Sequence, residues 1–348
     1  MDSVFAKRLA NARKIKCMSI RELCTAMGGL VSLNAISRYE KGVMMPSSTV
    51  LIGLSEALGM EIDYFFRPFS AEPDPSLLSL RKIRGLRAKK AEAIKHMVCS
   101  EIDRQCEIET ILNLSFPFTL GYKDKVISTL SEAREMALRL RKEQGLGTSA
   151  VISAFSLMEG MGVRVIETEI DEHFTSTGGT FGSTPVIALN KNMASEQKRL
   201  AVFQELGRIL LKFAEDADEE TLSTAFADEV LIPSERLRCL IGDSRKDISI
   251  IELQSIQKEY GVSIDTLVSK LVQLGIITRR RYDSYQKRKS MQLSFRQSVM
   301  ASLYPMECSE QFERLVYRAL TSEIITQSKA AALLNIPTHT VLQRVSSI

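Results

Sequence analysis

The chain has 348 residues, 45% hydrophobic and 25% charged, with a formal net charge of +4, which leaves room for two or three domains and suits a globular protein free in solution. No stretch approaches the roughly 18 uninterrupted apolar residues of a membrane span, and Met1-Asp2-Ser3-Val4 lacks the basic-then-apolar pattern of a signal peptide, so a cytoplasmic location is expected. Six cysteines without CxxC spacing and three widely separated histidines (His96, His173, His339) argue for reduced thiols, no metal and no cofactor.

Charge is unevenly distributed. Residues 1–41 hold eight Lys or Arg against three acids, and basic clusters recur at 81–95 and from Arg279 to Lys289. Only the first coincides with a pattern suited to DNA.

Residues 4–66 read as five short helices. Ser19-Ile20-Arg21-Glu22 is a capping box that starts one of them, and Met27-Gly28-Gly29 stops it. A second helix runs from about Leu33 to Lys41 and ends at Gly42, and Pro46-Ser47-Ser48 opens another, with Leu51, Leu54 and Leu58 on one face. Three prolines between Arg67 and Pro75 mark a linker. Long helices are expected over 76–114 and 128–144, and a short one over 149–159. Strands are expected at 163–168, 180–182 and 185–189, with a glycine-rich turn before the second. Helices follow at 195–213 and 221–231, and residues 234–348 are again helical.

The helix–glycine turn–helix layout of Ser19–Glu40 is that of a DNA reader. In its second helix Ala35 and Ile36 face the packing side. Ser32, Leu33, Asn34, Ser37, Arg38 and Lys41 are left to meet base edges and phosphates, for which hydroxyl, amide and guanidinium groups are suited. Lys7, Arg8, Arg13 and Lys14 are expected to add nonspecific attraction. The alternative use of such a bundle is protein contact. Ile36-Ser37-Arg38-Tyr39-Glu40-Lys41-Gly42, followed by Pro46 and Leu51…Leu54…Ala57-Leu58-Gly59, closely resembles the Xre family, the phage lambda repressor type. Gly29-Leu30 makes the turn two residues longer than the family's.

The stretch Arg199 to Leu211 resembles the zinc helix of ImmA/IrrE-type metallopeptidases, which are commonly fused to Xre domains. Asn190-Lys191-Asn192, Phe226-Ala227-Asp228-Glu229-Val230-Leu231-Ile232-Pro233 and segments of 257–277 and 312–331 extend the likeness over nearly the whole chain. The resemblance implies two histidine ligands flanking a glutamate general base, and a third ligand that maps to Glu220. Here the histidine positions hold Gln204 and Arg208, while Glu205 and Glu220 persist. A guanidinium offers only donors and cannot coordinate a cation, so no metal and no peptidase activity are expected. Ile325–Val345 also has a helix-turn-helix look but no basic face, which favours a packing or dimerisation role.

These readings give a mainly α chain, α+β overall, with a lambda-repressor-like bundle, a zincin-like centre around a small sheet, and a helical C-terminal region. The expected division is 1–67 for DNA binding, 68–145 as linker and connecting helices, 146–235 as peptidase-like domain and 236–348 as C-terminal domain. The expected function is a dimeric regulator of a double-stranded DNA operator, not an enzyme. Its degenerate centre would bind a protein partner, as in a mobile-element regulator or the antitoxin of a toxin–antitoxin pair. The rival is an active zinc metallopeptidase with unorthodox ligands that controls a repressor or toxin by cleavage.

Overall fold

The computed structural model describes residues 4–70, 78–80, 86–118, 120–122, 125–169 and 171–345. They form two compact units, one of residues 1–116, 180–182 and 310–348, the other of 117–179 and 183–309. The protein is mainly α with small sheets, and among the described residues no helix is long and apolar enough to cross a membrane.

The first unit begins with α1 (Val4–Ile15), α2 (Ile20–Ala26), α3 (Leu33–Glu40), α4 (Ser48–Leu58) and a 3-10 turn (Ile62–Phe65). Ser19 and Glu22 form the expected reciprocal cap at the start of α2. Gly59, at φ 57°, ends α4 in the left-handed conformation that glycine adopts without strain. Phe5, Leu9 and Ala12 of α1 meet Leu23, Ile36, Leu54, Leu58 and Phe65 in one apolar core.

After a short strand β1 (Leu78–Leu80) comes α5 (Ala88–Ile111), so the helix expected from residue 76 begins about a dozen residues later. Ala71 to Pro75 of the expected linker and residues 81–85 of the basic cluster lie outside the described residues. The last three helices, α15 (Gln311–Thr321), α16 (Gln327–Leu334) and α17 (Thr338–Val345), belong to this unit as well. They bury Leu315, Val316, Ala319, Ala330, Leu333 and Val341 around Ile108 of α5. The compact units therefore separate these helices from the rest of 236–348, which the sequence reading grouped together.

The second unit contains β2 (Val126–Ile127), α6 (Leu130–Glu143), α7 (Ala154–Gly160), β3 (Arg164–Thr168), all but the last two residues of β4 (Ser176–Phe181), β5 (Thr184–Asn190), α8 (Ser195–Leu210), β6 (Lys212–Phe213), α9 (Glu219–Leu231), α10 (Ser234–Ile241), α11 (Ile250–Tyr260), α12 (Ile264–Gln273), α13 (Arg279–Met291) and α14 (Leu293–Met300). β4, β5 and β3 lie in that order in one sheet, with β3 parallel to β5. Helix α8 stops at Leu210 instead of 213 because Lys212 and Phe213 pair in parallel with Val126 and Ile127. Helices α6, α8 and α9 pack together beside the sheet, and Gly207 lets α8 and α9 approach closely: a Cβ there would stand 2.8 Å from a Phe226 ring carbon.

The glycine-rich turn expected before residue 180 is instead strand. Gly178 and Gly179 lie inside β4, and a Cβ on Gly178 would stand 3.0 Å from a Glu205 carboxylate oxygen. Glycine here serves close approach rather than chain reversal. All six cysteines are free thiols, with Cys99 buried and Cys239 and Cys308 exposed.

Candidate nucleic-acid interface and peptidase-like centre

Helix α3 buries Ile36 and Tyr39 against the first core and leaves Leu33, Asn34, Arg38 and Lys41 exposed, with Ser37 half-buried. Asn34 and Arg38 are four residues apart and so share a face. The Ser32 hydroxyl accepts a hydrogen bond from the Ala35 amide at 3.2 Å, capping the helix. Its oxygen is thus already engaged within the chain.

Helix α3 is braced from behind. Arg13 of α1 grips Glu40 through two hydrogen bonds of 2.6 and 2.9 Å and also donates to the Met18 carbonyl at 2.6 Å. Arg8 is fully buried, bonded to Asp103 at 2.7 Å and to the Arg67 and Pro68 carbonyls. Two of the four cations expected to attract DNA are therefore internal struts. Arg8 follows Phe5 by three residues and precedes Ala12 by four, which puts it on the packing face. The exposed cations of this region are Lys16, Arg21, Arg38 and Lys41.

In the second unit, α8 and the start of α9 bring Gln204, Glu205, Arg208 and Glu220 together. Gln204 donates to Glu220 at 2.7 Å and to the Thr224 hydroxyl at 2.8 Å. Arg208 donates to Glu205 at 2.8 Å and to Glu220 at 2.5 Å, and its Nε lies 3.3 Å from Glu219. Ser176 of β4 donates to the same Glu205 oxygen at 2.8 Å. The other Glu205 oxygen is buried with no hydrogen-bond partner and faces the surface that Gly178 leaves open.

Burial is lopsided. The side chains of Glu205 and Arg208 are 1% and 6% exposed, that of Glu220 65%. Asn190, one of the residues that carry the family likeness, is buried and holds the preceding loop by donating to the Asp171 and Phe174 carbonyls at 3.2 and 2.8 Å. Ser176, Gly178 and Thr224 are site residues that sequence reasoning missed. The paired glycines were the signal, but a glycine pair also marks a turn.

These donors do not make a zinc-ligand set. Imidazole is absent, the Gln204 amide points its nitrogen at Glu220 and Thr224, and Arg208 places guanidinium nitrogens against both carboxylates. Among the described residues no group of three or more His, Cys, Asp or Glu is arranged to hold a metal.

A small helical bundle with α3 braced on its surface, followed in the chain by an α+β unit with α8 beside a sheet, defines the class of a DNA-binding protein with a peptidase-type appendage. Comparison with protein families agrees: residues 9–65 match the helix-turn-helix family and residues 158–272 match the IrrE N-terminal-like domain. The chain therefore carries an Xre-like helix-turn-helix domain and, further along, an ImmA/IrrE-type domain. The second match runs through α10 and α11 into α12. Searches of curated proteins and of solved structures find no match to this chain.

Proposed function

We propose that the chain is a sequence-specific transcriptional regulator whose ImmA/IrrE-type centre does not cut peptides and instead engages a protein partner. The observation that carries the reading is Arg208, whose fixed positive charge lies between Glu205 and Glu220 where the family resemblance puts a metal ligand. Without a metal, Glu205 has no bound water to activate. DNA recognition is assigned to the face of α3, with Asn34 and Arg38 toward base edges, Ser37 and Lys41 toward the backbone, and Ser32 and Leu33 at the start of the helix.

Readers of this kind usually occupy paired half-sites, which favours a homodimer on its operator. The protein partner fits two settings, a regulatory module of a mobile element or a toxin–antitoxin pair in which this chain is the antitoxin. The proposed mode of contact is an extended peptide added along an edge strand of the sheet.

Footprinting on the DNA upstream of the chain's own coding sequence tests the regulator reading. Protection of two half-sites about one helical turn apart is expected, and its loss in the Asn34→Ala, Arg38→Ala double variant. Unchanged protection by that variant would move the reading face elsewhere.

A further inference from the structure

Helix α13 fully buries none of its residues and meets the core only through the half-buried Tyr282 and Tyr285 among its hydrophobic side chains. A helix lying on an apolar floor ordinarily supplies an apolar stripe of its own. Here Arg281, Ser284, Tyr285 and Arg288, spaced as one helical face, border a 610 Å³ cavity inside the second unit. Its floor is aliphatic, formed by the buried Leu253, Val268, Leu271 and Ile277, and Phe295 closes one side. That volume lies within the roughly 300–1,000 Å³ typical of small-molecule sites, which are likewise apolar with a few polar groups at fixed places.

The polar groups at the rim differ in what they have left to offer. Arg281 is bonded to Asp247, and the Tyr285 hydroxyl donates to Asp265 at 2.8 Å. Arg288 donates its Nε to the Gln292 side-chain oxygen at 2.8 Å and stacks 4.2 Å from the Phe295 ring centre. Among the described residues no carboxylate pairs with it. Its terminal nitrogens form the planar fork that receives a carboxylate or phosphate through two hydrogen bonds.

We propose that the cleft beneath α13 binds a small amphipathic anion, an aliphatic chain lying on the Leu253–Leu271 floor with its anionic head at Arg288. The aliphatic floor favours a flexible chain over a planar ring, because Phe295 is the one aromatic side chain in the lining that offers a face without a hydroxyl. The site belongs to the second unit and does not depend on the DNA-binding reading.

Isothermal titration of the full chain with decanoate, decyl phosphate and neutral decanol tests it, together with two variants at exposed positions, Arg288→Gln and Ser284→Trp. The first removes the charge; the second places an indole in the mouth. One equivalent of at least one anion is expected to bind saturably, about tenfold or more tighter than decanol. Arg288→Gln should erase that preference, and Ser284→Trp should abolish binding of all three. The proposal is overturned if neither anion binds saturably, if decanol binds as tightly as the anions, or if either variant binds the preferred anion as tightly as the parent chain.

Discussion

Arg208 on α8 holds two glutamates at once, Glu205 one turn behind it on the same helix and Glu220 at the start of α9, with N–O distances of 2.8 and 2.5 Å. The two contacts are not equivalent. Glu220 stands largely in water, where an ion pair contributes about 0–1 kcal/mol. Glu205 is buried, and one of its oxygens already lacks a partner, so Arg208 is the charge that makes its burial tolerable.

The two halves of the pair should therefore respond unequally to truncation. Arg208→Ala strands a buried carboxylate and is expected to destabilise the protein by about 3–5 kcal/mol. Glu220→Ala should cost about 1 kcal/mol or less. Adding Glu205→Gln to Arg208→Ala should restore part of the loss, because a neutral amide is less costly to bury than a charge. Urea denaturation of the three variants checks this; equal losses for Arg208→Ala and Glu220→Ala would contradict it.

A second carboxylate sets a pH dependence. Burial pushes Asp228 up to about 7, against the pull of Lys270 and Arg134 and with the help of Glu229, and its Oδ1 has no hydrogen-bond partner. Lys270 donates instead to Glu229 and to the Asp228 and Ile232 carbonyls. Because the folded chain holds this proton more tightly than the unfolded chain, whose carboxyl titrates near 3.8, stability should fall as pH rises from about 4 to about 7. The slope is at most about 1.4 kcal/mol per pH unit, and it ends above the folded value. Urea midpoints at pH 5 and pH 8 measure it, and Asp228→Asn should flatten that contribution. An unchanged difference between the two pH values in the variant would refute the assignment.

On the DNA side, Arg38→Ala is expected to weaken specific binding by about 1–3 kcal/mol if the guanidinium spans a base edge, with little loss on random DNA. Arg13→Ala should act differently. It removes the brace on Glu40, so it should lower thermal stability as well as affinity for any DNA. Fluorescence anisotropy with specific and random duplexes at several salt concentrations separates the two. A pure salt-slope change in Arg13→Ala, with no change in melting, would show Arg13 contacting phosphate after all.

Local signals were legible in the sequence and distant ones were not. The Ser19–Glu22 cap and the stop of α3 at Gly42, at φ 68°, depend on residues within a few positions of each other, and both are present in the structure. Nothing near Arg8 in the sequence marks it as buried, because its counterion, Asp103, is 95 residues away. Helix periodicity alone runs past the end of α8, because Lys212 and Phe213 answer to Val126 and Ile127. The glycines at 178 and 179 fit a turn locally, and the need Gly178 meets, room beside Glu205, arises only when β4 is laid against α8. The cavity under α13 is likewise a product of packing, and the sequence showed only the helix's basic charge.

Metal content tests the account's central claim most directly. The full chain, loaded with excess zinc and dialysed to equilibrium, should retain far less than one zinc per chain by atomic emission. The Gln204→His, Arg208→His double variant should gain about one, since Glu205 and Glu220 are already in place. Near-stoichiometric zinc in the unaltered chain, lost on Glu220→Ala, would contradict the assignment of Arg208 to the metal's position and return the centre to the metallopeptidases.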